Sequence, residues 1–157
     1  MQLDAHSIEI LEDKRLHKDI ASVCYRAATL CNSGIGFKLT YGFRSVAEQM
    51  AIWLSCHNLD GSLNGNAWKT DKNGYAKGIK APNGAVGTGL SRHNTGHAVD
   101  IAAIVNGKIT WDTKYYPLVA DYFFEAAASI KVPIVWGGSY HDNKDYAHFE
   151  LNKRFYP

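Results

Sequence analysis

Two short stretches carry side chains able to bind a metal and work beside it. They are Ser91-Arg92-His93-Asn94-Thr95-Gly96-His97-Ala98-Val99-Asp100 and, near the C-terminus, Asp145-Tyr146-Ala147-His148-Phe149-Glu150. His93, Asp100 and His148 offer two imidazoles and a carboxylate, and Asp145 is a spare carboxylate three residues before the last histidine. Three protein ligands, an open position for water and a base to take its proton make the inventory of a catalytic zinc site. The residue types point to a zinc hydrolase with one zinc per chain.

Spacing constrains how these groups meet. His93 and Asp100 are seven residues apart. On one helix they would be ~10.5 Å apart along the axis, too far to share an ion whose bonds are about 2 Å. They converge only if the chain bends, and Asn94-Thr95-Gly96 supplies turn residues between them. The spacing therefore works as loop to strand. If His148 begins a strand and Asp145 ends the loop before it, the imidazole can reach the metal while the carboxylate reaches the attacking water. Arg44 is the natural electrophile for a developing oxyanion.

Rival assignments exist. His97 lies four residues after His93, but Gly96 between them and a strand beginning nearby turn it from the face of Asp100. Glu150 competes with Asp145 as base; on a strand face with His148, it fits better a role orienting that ligand. Non-haem iron oxygenases use the same ligand types, but their His-x-Asp spacing differs from the six residues separating His93 and Asp100 here. A non-catalytic zinc-containing module would have no need of Asp145.

The elements that must position these residues read as α+β. Leu16, Ile20, Val23, Ala27 and Leu30 form the stripe of a helix with one buried face, closed by Asn32-Ser33-Gly34. The residues before it make a short helix or turn, with His6 and His17 facing solvent. Phe37, Leu39, Tyr41 and Phe43 alternate as a half-buried strand, and Arg44 ends it. Ser45 and Glu48 then have the spacing of a capping box, with Val46, Met50, Trp53 and Leu54 as the buried stripe of the next helix. Asn106-Gly107 between apolar runs signals a hairpin, which puts Asp100 at the start of its first strand. Val119, Phe123, Ala126 and Ile130 mark another helix, with Pro117 in its first turn. Residues 132–136 and 148–151 read as strands, and Gly137-Gly138 as a turn. Residues 57–89 are rich in glycine and asparagine without a period; so long an irregular stretch tends to be functional, and this one leads directly into the first metal motif.

The bulk numbers set outer limits. At 157 residues, 46% hydrophobic and 20% charged, the chain is one soluble domain long enough for a real core. A net charge of +2 without a Lys/Arg block argues against nucleic acid as partner. No apolar run approaches the ~20 residues that span a bilayer, and the first ten residues have acids where a signal peptide needs bases. The expectation is a protein that is cytoplasmic where it is made. Cys24, Cys31 and Cys56 are expected to be reduced and buried, since two of them on one helix are too far apart for a disulfide.

Ser91-x-His93-x-x-Gly96-x-Ala98-x-Asp100, Asp145-x-x-His148-Phe149-Glu150, Gly42-Phe43-Arg44-Ser45 with Gln49, and Trp136-Gly137-Gly138 together resemble the D-Ala-D-Ala carboxypeptidase and L-alanyl-D-glutamate endopeptidase family of zinc peptidases. The likeness spans residues 42–151 and is greatest to phage endolysins that cut the L-Ala–D-Glu bond of peptidoglycan stem peptides. These have Asp-x-x-His where D-Ala-D-Ala dipeptidases have Glu-x-x-His. The resemblance implies zinc on His93, Asp100 and His148, Asp145 as general base and Arg44 as transition-state stabiliser. It places Ser91 and Gln49 at the substrate. It also implies an α+β fold with a central antiparallel sheet, shared with the hedgehog signalling domain. The partner is then peptidoglycan, bound by a monomer with one catalytic domain over residues 1–157 and no separate wall-binding domain. Such an endolysin waits in the host cytoplasm for a holin to release it. D-Ala-D-Ala carboxypeptidase activity stays open as the alternative, because the 57–90 stretch decides whether the cleft is closed at one end.

Overall fold

A computed structural model describes residues 1–32, 34–60, 62–64, 91–142 and 144–157 of the chain. Most of the 57–90 stretch expected to border the substrate lies outside them. The first helix, α1 (Ala5–Glu12), starts where the Asp4 carboxylate accepts the Ser7 N–H at 2.8 Å. The Leu16–Leu30 stripe becomes α2 (Lys18–Leu30), whose Ile20, Val23, Cys24 and Ala27 are fully buried. His17 does not simply face solvent. Its ring caps α2, accepting the Asp19 N–H at 3.1 Å. Cys24, Cys31 and Cys56 are buried, and none forms a disulfide.

The sheet combines β1 (Ile35–Tyr41), β2 (Ala98–Val105), β4 (Ile134–Trp136) and β5 (His148–Leu151) in the order β1-β2-β5-β4, every pair antiparallel. β3 (Lys108–Thr110) pairs with the far end of β2. Asn106 and Gly107 join β2 to β3 with φ of 50° and 76°, the two positive values a type I′ turn needs. Helix α4 (Tyr116–Ser129) carries Pro117 in its first turn and packs against α2 and β1. Phe123 of α4 stands edge-on to Phe37 of β1 at 4.8 Å and stacks on Phe149 of β5 at 4.1 Å. One aromatic column thus ties a helix to the two strands that flank β2. The architecture is α+β with a mainly antiparallel sheet.

Three stripes run differently from the sequence pattern. Helix α3 (Val46–Leu54) begins with the expected capping box, Ser45 and Glu48 bonding each other's backbone N–H. Its buried residues, however, are Gln49 and Trp53, while Val46, Met50 and Leu54 are exposed. The buried arc is rotated by about one row, so that it faces Arg44 with a polar side chain. Ile130 at the end of α4 is exposed too, because Lys131 at φ 58° turns the chain out of the helix. Finally, Tyr41 does not follow Phe37 and Leu39 inward; a register irregularity between Leu39 and Tyr41 rotates it outward.

Candidate metal centre

His93 lies on a 3₁₀ turn, Arg92–Thr95, that Ser91 opens and Gly96 closes. Gly96 has φ 71°, and a Cβ there would meet the backbone of Arg15 and Leu16. Its carbonyl accepts the His17 N–H at 2.8 Å, so the turn is clamped to the start of α2. Beyond it, β2 carries Asp100 directly opposite His148 of β5. The bend predicted from the seven-residue spacing is thus a left-handed glycine followed by a strand. Gly96→Ala combines a left-handed alanine with a backbone clash. It should lower the unfolding free energy by more than about 2 kcal/mol in urea titration. A loss under half that would show the turn to be pliable.

Three atoms converge. His93 Nε2 lies 3.1 Å from Asp100 Oδ1 and 3.2 Å from His148 Nδ1, which is itself 3.1 Å from the same oxygen. Ligands at about 2.0–2.1 Å from a tetrahedral zinc stand about 3.3–3.4 Å apart, so this triangle has the size of one metal face. The remaining ring nitrogens are committed elsewhere. His93 Nδ1–H donates to the Gly42 carbonyl at 2.7 Å, and His148 Nε2–H donates to Glu150 Oε2 at 3.1 Å. Those bonds fix both tautomers with the lone pairs aimed at the shared point, the usual support of metal-ligating imidazoles. The residues fit a divalent cation.

The electrostatics agree with a site built to hold positive charge. Burial would push the Asp100 carboxyl up, but the neighbouring His93 and His148 outweigh it and hold Asp100 well below the usual carboxylate range. Burial lowers His148, yet its hydrogen bonds to the Asp100 and Glu150 carboxylates raise it to about 9. Glu150 shows the same competition: burial raises it, and the bond to His148 brings it below its ordinary value. Asp145 is different. Burial and the charge of Asp100 push its carboxyl up, opposed by His148 and His93. A carboxyl that feels all three of these side chains lies beside the triangle without being part of it. Its backbone is pinned, with N–H to Gly137 O at 3.1 Å and carbonyl accepting from His148 N at 3.2 Å.

Arg44 is buried and faces Asp100 from the end of β1. Its Nη2 donates to Asp100 Oδ2 at 3.2 Å and its Nη1 to Gln49 Oε1 at 2.9 Å, while Nε has no hydrogen-bond partner among the described residues. Gln49 is 2% exposed, so it meets Arg44 inside the protein rather than lying open at the surface. Ser91 is buried at the head of the His93 turn, its carbonyl accepting the Asn94 N–H at 2.9 Å. His97 lies outside the cluster, its ring 5.1 Å from His17 and its Nδ1 2.8 Å from Thr95 Oγ1.

Two contributors escape the sequence pattern. Asn94 donates from Nδ2 to the Arg44 carbonyl at 2.7 Å, tying the arginine corner to the histidine turn. Arg92, beside His93, reaches away from the site to the Leu151 and Tyr156 carbonyls at 3.3 and 2.7 Å, anchoring the end of β5. Neither has a spacing signature; both are read only from tertiary geometry.

A His-Asp-His triangle with a guanidinium bonded to its aspartate has the inventory of a metal-dependent hydrolase centre. Comparison with known proteins narrows this. Residues 85–151 match the family model described as D-alanyl-D-alanine carboxypeptidase. The chain is 28% identical over 155 residues to the peptidoglycan L-alanyl-D-glutamate endopeptidase CwlK of Bacillus subtilis, covering 93% of this chain and 81% of that protein. It superposes on the crystal structure of the Serratia marcescens L-Ala D-Glu endopeptidase ChiX with a TM-score of 0.68 and 27% identity, over 100% of this chain and 94% of that one. These comparisons support a metallopeptidase similar to the D-Ala-D-Ala carboxypeptidase and L-alanyl-D-glutamate endopeptidase family. Among the described residues no helix is long and apolar enough to cross a membrane.

Proposed function

We propose that the protein is a zinc-dependent endopeptidase of peptidoglycan that cuts the L-Ala–D-Glu bond of the stem peptide. The observation that carries this reading is the triangle of His93 Nε2, Asp100 Oδ1 and His148 Nδ1, with sides of 3.1–3.2 Å, in a chain similar in fold to one L-Ala–D-Glu endopeptidase and in sequence to another. A zinc ion held by these three would polarise the scissile carbonyl and acidify the attacking water. Asp145 takes that water's proton and returns it to the leaving amine. Arg44 donates from its guanidinium to the oxygen on which negative charge develops. Glu150 and the Gly42 carbonyl hold the two imidazoles in the required tautomers. Ser91 contacts the substrate beside His93, and Gln49 serves it through Arg44.

The biological role we infer is that of an endolysin, a phage-type enzyme lysing a bacterial host from within. It acts as a monomer on the wall polymer, without nucleic acid or membrane partners. The Asp145-x-x-His148 spacing supports this, being the form found in the endolysins the chain resembles. Digestion of purified peptidoglycan followed by mass spectrometry of the new termini tests the specificity. Free D-glutamyl amino termini are expected. Release of D-alanine would instead identify a carboxypeptidase, and an undigested wall with zinc bound would identify a binding module.

The ligand set makes a separate prediction. His93→Ala should lose the metal, whereas His97→Ala should retain about one zinc by elemental analysis. Zinc taken up by stripped protein near pH 7 should release about one proton, because His148 is protonated below about 9 and must give that proton up. Affinity should accordingly weaken as pH falls. Calorimetry in buffers of different ionisation enthalpy reads the proton count, and none released would contradict the assignment.

A further inference from the structure

If Arg44 stabilises the oxyanion, as proposed above, the tilt of its guanidinium matters as much as its charge. The bonds to Gln49 and Asp100 run through its two terminal nitrogens and leave the group free to hinge about the line joining them. What lies on its flat faces then sets the tilt. The Arg44 Cζ lies over the Tyr41 ring, 4.7 Å from its centroid.

The strand places Tyr41 there by breaking its own pattern. β1 pairs with β2 residue by residue from Ile35 opposite Val105 to Leu39 opposite Ile101, then skips so that Tyr41 stands opposite Asp100. Simple alternation would send Tyr41 into the core after Phe37 and Leu39, both 0% exposed; it is instead 46% exposed. An extra residue in a strand is a way to re-aim one side chain, and such irregularities gather beside active sites. Here it delivers an aromatic face to the guanidinium that bonds Asp100.

We propose that Tyr41 is a positioning residue for Arg44, its ring holding the guanidinium plane in line with Asp100 and the reacting carbonyl of the substrate. The attraction is that of a cation for a ring face, so phenylalanine preserves it and leucine does not. The hydroxyl takes no part. The inference rests on the role given to Arg44, and two readouts on the zinc-loaded protein keep the two claims apart. The first is nitrogen NMR of the Arg44 guanidinium, assigned by its absence in Arg44→Ala. Wild type and Tyr41→Phe should show a rigid Arg44 Nε–H, with an order parameter that falls in Tyr41→Leu as the hinge is released. The second is turnover on peptidoglycan: Tyr41→Leu should lower kcat about two- to fivefold with KM little changed, and Tyr41→Phe should restore it. In an Arg44→Ala background, Tyr41→Leu should cost nothing more. An Nε–H order parameter unchanged in Tyr41→Leu overturns the proposal, as does an equal loss of turnover in the Arg44→Ala background, which would mean that the ring acts on the substrate directly. A lowered order parameter in a protein that leaves peptidoglycan intact would uphold the positioning role and sink the proposed function instead.

Discussion

Asp145→Asn is expected to keep its metal and lose turnover by a factor on the order of 10²–10⁴. The substitution preserves shape and removes the proton acceptor. Asp145 suits the part because it lies beside the triangle rather than in it: its carboxyl is influenced by Asp100, His148 and His93, and its main chain is held by Gly137 and His148. Burial and the Asp100 charge raise it in the metal-free protein, whereas a nearby divalent cation would draw it back towards the ionised form a base needs. Glu150 is the competitor, and its geometry argues for a different task. Its Oε2 accepts from His148 Nε2 at 3.1 Å, on the side of the ring facing away from the other two ligands. Glu150→Gln should therefore weaken metal affinity more than it slows the metal-saturated enzyme. Zinc-saturated turnover of both variants decides the matter. An active Asp145→Asn beside an inactive, zinc-bound Glu150→Gln would reverse the roles.

Arg44→Ala should fold, bind zinc and lose turnover by about 10²–10³, the usual cost of one donor to a developing oxyanion. Folding should survive because the bonds that tie this corner to the histidine turn come from backbone atoms that alanine retains. Arg44 N donates to the His93 carbonyl at 3.0 Å, and the Arg44 carbonyl accepts from Asn94 at 2.7 Å. What is lost is the guanidinium, with its contacts to Asp100 and Gln49. Thermal denaturation, zinc content and turnover measured on one preparation separate the possibilities. A melting temperature that drops steeply while turnover stays near wild type would make Arg44 a structural cation.

Much of the scaffold is local chemistry and could be read directly. The capping box at Ser45 and Glu48, the Asn106-Gly107 hairpin, Pro117 in the first turn of α4 and the buried face of α2 each depend on neighbours within a few residues. The bend between His93 and Asp100 was legible for a related reason: a metal bond is short, and seven residues of helix are too long to satisfy it. Ligand types and spacing therefore identified the three residues that the fold brings together.

Where alternation or helical period alone was the guide, the pattern carried only part of the way. Tyr41 reads as a core residue because period two says so, and only pairing with β2 shows the skipped position that turns it out. Val46, Met50 and Leu54 make a plausible apolar row, yet α3 buries the adjacent row because Gln49 must meet Arg44. That requirement arises between segments distant in sequence from Asp100. The bonded Nδ1 of His93, the Asn94 link and the reach of Arg92 to the end of the chain are likewise distances between strands and turns, whereas the Glu150 bond to His148 lies within β5 and follows from strand alternation. Residue types and local spacing determined which groups could meet at a metal site and that Glu150 could orient His148; tertiary packing decided what holds His93, how close the three groups come and which way Tyr41 faces beside Arg44, because those are set by contacts across the sheet that no single segment contains.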